Sequence, residues 1–215
     1  MINRALPPVI IIHGLWMHGL VMALLARRIA HAGFETRCWS YPSMRLALTE
    51  NADRLAAFCR TQGLRNIHVI AHSMGGLVAL RMLERHHDIG CARVVLLGTP
   101  YVDSHAAKRL AGWPGGRRLL GRSIAEWLDT PRPVPRAGCM IGRIAGIRAL
   151  GLGQLVSRNL PLPHDGVVSV AETQLSGVTA QSLLPVTHSG LLLSKVAAAH
   201  CAAFLKNGNF EGAQP

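Results

Sequence analysis

Val69-Ile70-Ala71-His72-Ser73-Met74-Gly75-Gly76-Leu77-Val78 is the stretch on which the reading of the chain turns. An apolar β-branched run stops at a small-x-Ser-x-Gly-Gly segment, and a helix-forming pattern begins at once. The residues spell a strand, a sharp turn and a helix, with a serine at the bend. Such a turn needs small neighbours, because the serine backbone is strained and the helix must pass close to the strand. Ala71 and Gly75 are small enough. The competing reading makes Ser73 the N-cap of a Gly-rich helix start and nothing more. The rest of the chain has to decide between the two.

Upstream, residues 8–13 form a continuous apolar run of the kind that parallel strands bury on both faces, ending in His13-Gly14-Leu15-Trp16. Residues 20–32 predict a helix closed by Gly33, and residues 34–40 a second strand. Residues 49–62 predict a helix stopped by Gly63, with Leu55, Phe58 and Cys59 on one face. Residues 66–71 are the third strand, 74–85 the helix after the serine, and 92–97 a fourth strand running into Gly98-Thr99-Pro100. Four strands alternating with three helices predict an α/β fold with an open, doubly wound, mostly parallel sheet. Order loosens over residues 101–136, where Pro114, Gly115, Gly116, Pro131, Pro133 and Pro135 leave room for short helices at 104–111 and 118–128. A short strand at 137–145, a connection over 146–163 and a turn into a brief helix at 166–170 follow. Residues 182–186 are expected as the last strand. Residues 189–205 are expected as a terminal amphipathic helix with Leu192, Val196, Ala199 and Ala203 on one face, before a polar tail. Gly151-Leu152-Gly153 follows no strand and lacks a third glycine, so it is no dinucleotide fingerprint.

The length of 215 residues suggests a single domain, 1–215, and 49% apolar residues mark a globular chain. Net charge is +12, and all basic residues but Lys108, Lys195 and Lys206 are arginine. Such a balance points to nucleic acid, an anionic membrane surface or an acidic substrate. Only 5% aromatics and no nucleic-acid-binding motif speak against the first. Cys38, Cys59, Cys91, Cys139 and Cys201 form no C-x-x-C pair; they are expected as buried free thiols in a reducing compartment, with no zinc site. The apolar run at 9–12 is too short and too soon broken for a signal peptide, and no run of 18 apolar residues occurs, so a cytoplasmic protein is expected.

Together, the serine turn, His13-Gly14 after the first strand and Gly98-Thr99-Pro100 after the fourth resemble an α/β-hydrolase of the lipase/esterase type. Ala71 stands where the usual G-x-S-x-G pattern has its first glycine, and the early strands of the full fold are absent, so the chain resembles a compact version. A serine needs a base, a group to orient that base, and donors for the oxyanion. The resemblance implies Ser73 as nucleophile, with the backbone N–H of Met74 as one oxyanion donor and that of Leu15, the residue after His-Gly, as the other. Of eleven histidines, His188 follows a strand late in the chain, where the order Ser…Asp…His requires the base. His72 adjoins the serine on a turn where neighbouring side chains point apart. His200 reads as a packed histidine, and His86 and His87 end a helix. Asp88, Asp103, Asp129, Asp165 and Glu172 lie between Ser73 and His188, along with Glu84 and Glu126 on helices. Position and resemblance favour Asp165, in His164-Asp165-Gly166-Val167-Val168, over Asp103.

No metal and no cofactor is called for. Residues 101–160 contain a lid or cap insertion and carry Lys108 and nine arginines against Asp103, Glu126 and Asp129, seven positive charges in excess. With Trp113 and Trp127, this cover suits a lipid interface or an acyl chain with an anionic head; it equally suits a solvated arginine-rich surface. Trp16 either lines an acyl pocket or packs in the core. The implied activity is hydrolysis of carboxylic (lipid or acyl) esters through an acyl-enzyme. Thioesterase, amidase or acyltransferase chemistry shares the same triad, and a catalytically silent binding protein keeps the same fold. The implied partner is a small-molecule ester or lipid, with a peripheral anionic membrane surface left open.

Overall fold

Six strands make one sheet, and every neighbouring pair is parallel. They are β1 (Val9–Ile12), β2 (Thr36–Trp39), β3 (Asn66–His72), β4 (Gly90–Leu97), β5 (Met140–Gly146) and β6 (Val178–Leu184), in the order β2-β1-β3-β4-β5-β6. The computed structural model describes residues 6–134, 138–151 and 160–213. The helices are α1 (Ala23–His31), α2 (Leu48–Thr61), α3 (Met74–Arg85), α4 (His105–Ala111), α5 (Gly116–Asp129), α6 (Gly190–Leu193) and α7 (Lys195–Asn207).

The apolar strands lack polar alternation because both sheet faces are covered. Ile10, Ile12, Val69, Ala71, Val94 and Leu96 pack in one core with α2 and α3. Val9, Ile11, Ile70, Val95, Leu97 and Ile144 pack in the other with α1 and α7. β1, β3 and β4 thus each contribute alternate residues to opposite cores. The register pairs Ile12 with Ala71 and Ala71 with Leu96, so the carboxyl ends of β1, β3 and β4 lie side by side. In sheets of this kind that edge holds the ligand.

Several expectations need correction. Residues 19–22 form a 3-10 turn ahead of α1. The terminal helix is broken: Ser194 is extended (ψ 127°), and its side chain accepts the N–H of Ala197 at 3.1 Å to start α7 afresh. The break resets the helical phase, so Ala197, Ala198, Cys201, Ala202, Phe204 and Leu205 are buried while Val196 faces out. Residues 166–170 form no helix, and β6 begins four residues before the expected strand. No disulfide joins the five cysteines, but only Cys59 and Cys201 are buried; Cys38 is exposed on the edge strand β2.

In the stretch where a cap is expected, α4 and α5 follow β4, after which β5 returns to the sheet. Residues 135–137 and 152–159 of the expected cap and strand lie outside the described residues. Inside α5, Gly121 has φ +75°, and a Cβ there would fall 2.6 Å from Met44 Cα; the helix kinks where it meets the loop before α2. Much of the positive charge of this stretch is engaged locally. Lys108 pairs with Asp103 at 2.7 Å, Arg117 with Asp129, and Arg122 with Glu50 at 3.5 Å, while Arg132 lies 4.1 Å over the buried Trp127 ring. Among the described residues, no helix is long and apolar enough to cross a membrane, and no cluster of three metal-binding side chains occurs.

Candidate active site

β3 ends at His72, and α3 begins at Met74, leaving Ser73 alone on the bend with φ +53° and ψ −128°. A non-glycine residue in that conformation is strained by about 1–3 kcal/mol, and the fold holds it from both sides. The Ser73 N–H donates to Leu97 O at 2.8 Å. Gly75 lets the helix pass, since a Cβ there would lie 2.4 Å from the carbonyl oxygen of His13. Met74 opens α3, and the first N–H groups of a helix have no partner within it.

Beyond β1, His13 fixes the neighbouring loop. Tyr41 N–H donates to His13 Nε2 at 3.2 Å, so that nitrogen carries the lone pair and Nδ1 the hydrogen. Nδ1 then donates to Gly14 O at 2.8 Å. A trans peptide points its C=O and N–H opposite ways, so the Leu15 N–H is turned away from the His13 ring. Burial holds His13 below its ordinary pKa, which keeps the ring neutral. Gly14 itself passes beside the serine: a Cβ there would sit 3.0 Å from Ser73 Cβ.

His188 lies past β6, and its Nδ1 donates to Asp165 Oδ2 at 2.7 Å, which leaves Nε2 with the lone pair. The two residues are also joined through the backbone, His188 N–H to Asp165 O at 2.9 Å. Asp165 is buried, and its other oxygen accepts the N–H groups of Val167 at 3.0 Å and Val168 at 2.8 Å. Gly166, at φ +95°, takes the chain out of helical conformation directly after Asp165, so residues 166–168 do not enter a helix. Gly98, with φ +56°, comes within reach of both groups: a Cβ would lie 3.0 Å from His188 Nδ1 and 3.1 Å from Asp165 Oδ2.

The other carboxylates are engaged elsewhere. Asp103 accepts from Lys108 Nζ and from the Ser104 N–H, both at 2.7 Å, at the start of α4. Asp88 grips Arg60, and Asp129 pairs with Arg117. Glu172 braces the Asp165 segment, accepting Ser169 N–H at 2.6 Å and the His105 N–H.

Ser73, His188, Leu15 and Met74 line one cavity of about 310 Å³, with Ala107 and Leu110 of α4 and Leu120 and Ile124 of α5 also in its lining. Trp16 is not a core residue. It is exposed, with φ +58°, lines the cavity mouth, and donates its indole N–H to Leu119 O of α5 at 2.9 Å. His72, set aside as a base, has a different part. Its Nε2 donates to His188 O at 3.1 Å, and the two rings lie 4.6 Å apart. This tether and the Tyr41–His13 pair have no local signature in the sequence: both join residues far apart in the chain, and only the His-Gly dipeptide hints at either.

A model of the alpha/beta hydrolase family matches residues 9–201, and the chain belongs to that family. No match is found among curated protein sequences. The fold is similar to that of Bacillus licheniformis lipase BlEst2 in mature form (TM-score 0.72, 18% identity, covering 95% of this chain and 92% of that one). It is also similar to the esterase EaEST from Exiguobacterium antarcticum (0.65, 13%, 94% and 92%) and to carboxylesterase CesB from Bacillus subtilis (0.56, 14%, 96% and 85%).

Proposed function

We propose that the protein is a serine hydrolase acting on carboxylic esters of lipid or acyl type. The observation that carries this reading is the His188 Nδ1–Asp165 Oδ2 hydrogen bond of 2.7 Å, on a cavity shared with a serine held at φ +53°. In this reading His188 Nε2 takes the proton of Ser73 as its oxygen attacks the ester carbonyl, and Asp165 holds the imidazole tautomer and stabilises the imidazolium. The negative charge forming on the carbonyl oxygen is met by the N–H groups of Leu15 and Met74, fixed in place before the reaction. His188 returns the proton to the departing alcohol, leaving an acyl-serine. Water, activated by the same histidine, releases the acid. The apolar wall of cap side chains favours an acyl chain over a polar substituent. The names of the esterases and lipases that share the fold agree with this choice of substrate.

Intact mass after exposure to a fluorophosphonate tests the reading. A single adduct is expected on the parent protein and none on Ser73→Ala. Folded parent protein that stays unlabelled, with and without detergent, would remove the nucleophile from the proposal and leave a binding protein.

A further inference from the structure

One buried cation has no part in that chemistry. Arg143 stands in β5, 7% exposed. Of its five N–H donors, Nη1 directs two to Thr173 Oγ1 at 2.9 Å and Val170 O at 3.3 Å, and Nη2 gives one to Gln181 Oε1. Gln181 is its register partner on β6. The Nε–H is buried without a partner. Every acceptor is neutral. The chain's eleven carboxylate side chains all fall among the described residues, and none forms an ion pair with Arg143. Burial alone pulls the guanidinium below its ordinary range. A buried charge left uncompensated is strongly unfavourable, and proteins normally pair it.

Beside Arg143 lies an open pocket of about 390 Å³. Tyr101, Gln174, Ser176 and Gln181 give it polar walls, and Leu175 and Val178 an apolar one; none of these lines the catalytic cavity. We propose that this pocket binds a small organic carboxylate, whose charge neutralises Arg143 and whose apolar body lies along Leu175 and Val178. A guanidinium edge matches the two oxygens of a carboxylate. Phosphate near neutral pH carries more than one charge, and Arg143 is the one cation among the described lining residues.

The test is thermal unfolding of the full chain in sodium butyrate, sodium phosphate and sodium chloride at matched ionic strength. Butyrate is expected to raise the midpoint by roughly 2 °C or more over chloride, and phosphate to leave it at the chloride value. In Gln181→Glu, a carboxylate placed beside Nη2 supplies the counter-charge from within. That variant is expected to unfold at a higher temperature in chloride and to lose the butyrate response; Arg143→Gln, which keeps hydrogen-bond donors without the charge, loses it too. No butyrate response in the parent protein, or an undiminished one in Gln181→Glu, overturns the proposal. An equal response to phosphate overturns the carboxylate assignment. Should Arg143→Gln fail to fold, Gln181→Glu still decides.

Discussion

His72 is the residue that ties the serine turn to the His188 turn. Its Nε2–H is spent on His188 O, and its Nδ1 is buried without a donor, so neither nitrogen is available as a base. Burial holds its pKa well below the ordinary value, which keeps a second positive charge away from His188 when that ring takes up a proton. His72→Phe preserves a flat ring of similar size and deletes the donor, leaving the His188 carbonyl unpartnered at about 1–3 kcal/mol. The His188 turn then loses its tie to the serine turn, and kcat is expected to fall by roughly 10–100-fold with KM little changed. Steady-state kinetics on a short p-nitrophenyl ester checks this, and His72→Gln, which restores an N–H at similar reach, should recover part of the loss. An unchanged kcat in His72→Phe would show that the tether positions nothing. From the sequence, His72 could be rejected as a base because it adjoins Ser73; its contact with a residue 116 positions away has no local signature.

At the level of elements, what could be read depended on whether the signal was local. The helix at 74–85 is found with its expected bounds, because the strand end, the small residues and the apolar periodicity all lie within that stretch. The C-terminal helix was read in the wrong phase although Ser194, followed by helix formers, carries an N-cap signal; the apolar run through it hid the break. The cap helices were expected near their observed places, but the kink at Gly121 answers to Met44, a contact no window of sequence contains. α4 presents Ala107 and Leu110 to the cavity, and under the proposed function the size of these side chains sets how deep an acyl chain can go. Ala107→Leu adds about three carbons of volume to that wall. It is expected to lower kcat/KM for a p-nitrophenyl decanoate by roughly 10-fold or more relative to the acetate. Equal losses on both esters would place the acyl chain elsewhere.

Across the whole molecule, the parallel sheet was legible because unbroken apolar strands demand cover on both faces. The candidate site was legible because its residues sit at the carboxyl ends of those strands. Asp165 needed the resemblance to be chosen, since a lone Asp-Gly is equally a turn. Burying polar groups beneath such a sheet has a further consequence, in acid. His13, His68 and His72 are all buried, and burial is the largest cause that lowers each pKa, that of His68 to about 4. The neutral form is therefore favoured in the folded protein, whereas the unfolded chain protonates near pH 6.5. Above pH 6.5 neither state binds a proton at these rings, and stability does not change on their account. As pH falls below 6.5 the unfolded state gains protons that the folded state refuses, and stability drops until each folded-state pKa is passed. At pH 5 His68 alone accounts for a loss of about 2 kcal/mol. The midpoint of thermal unfolding is expected to fall by roughly 4–8 °C from that ring, and further from the other two. His68→Leu removes the one ring of the three that lies away from the candidate site, so unfolding measured at pH 7.5, 6.5 and 5.0 should show a loss smaller by about 1.6 kcal/mol between the last two points. A variant as acid-sensitive as the parent would mean that His68 is protonated in the fold and that the acid limit belongs to other groups.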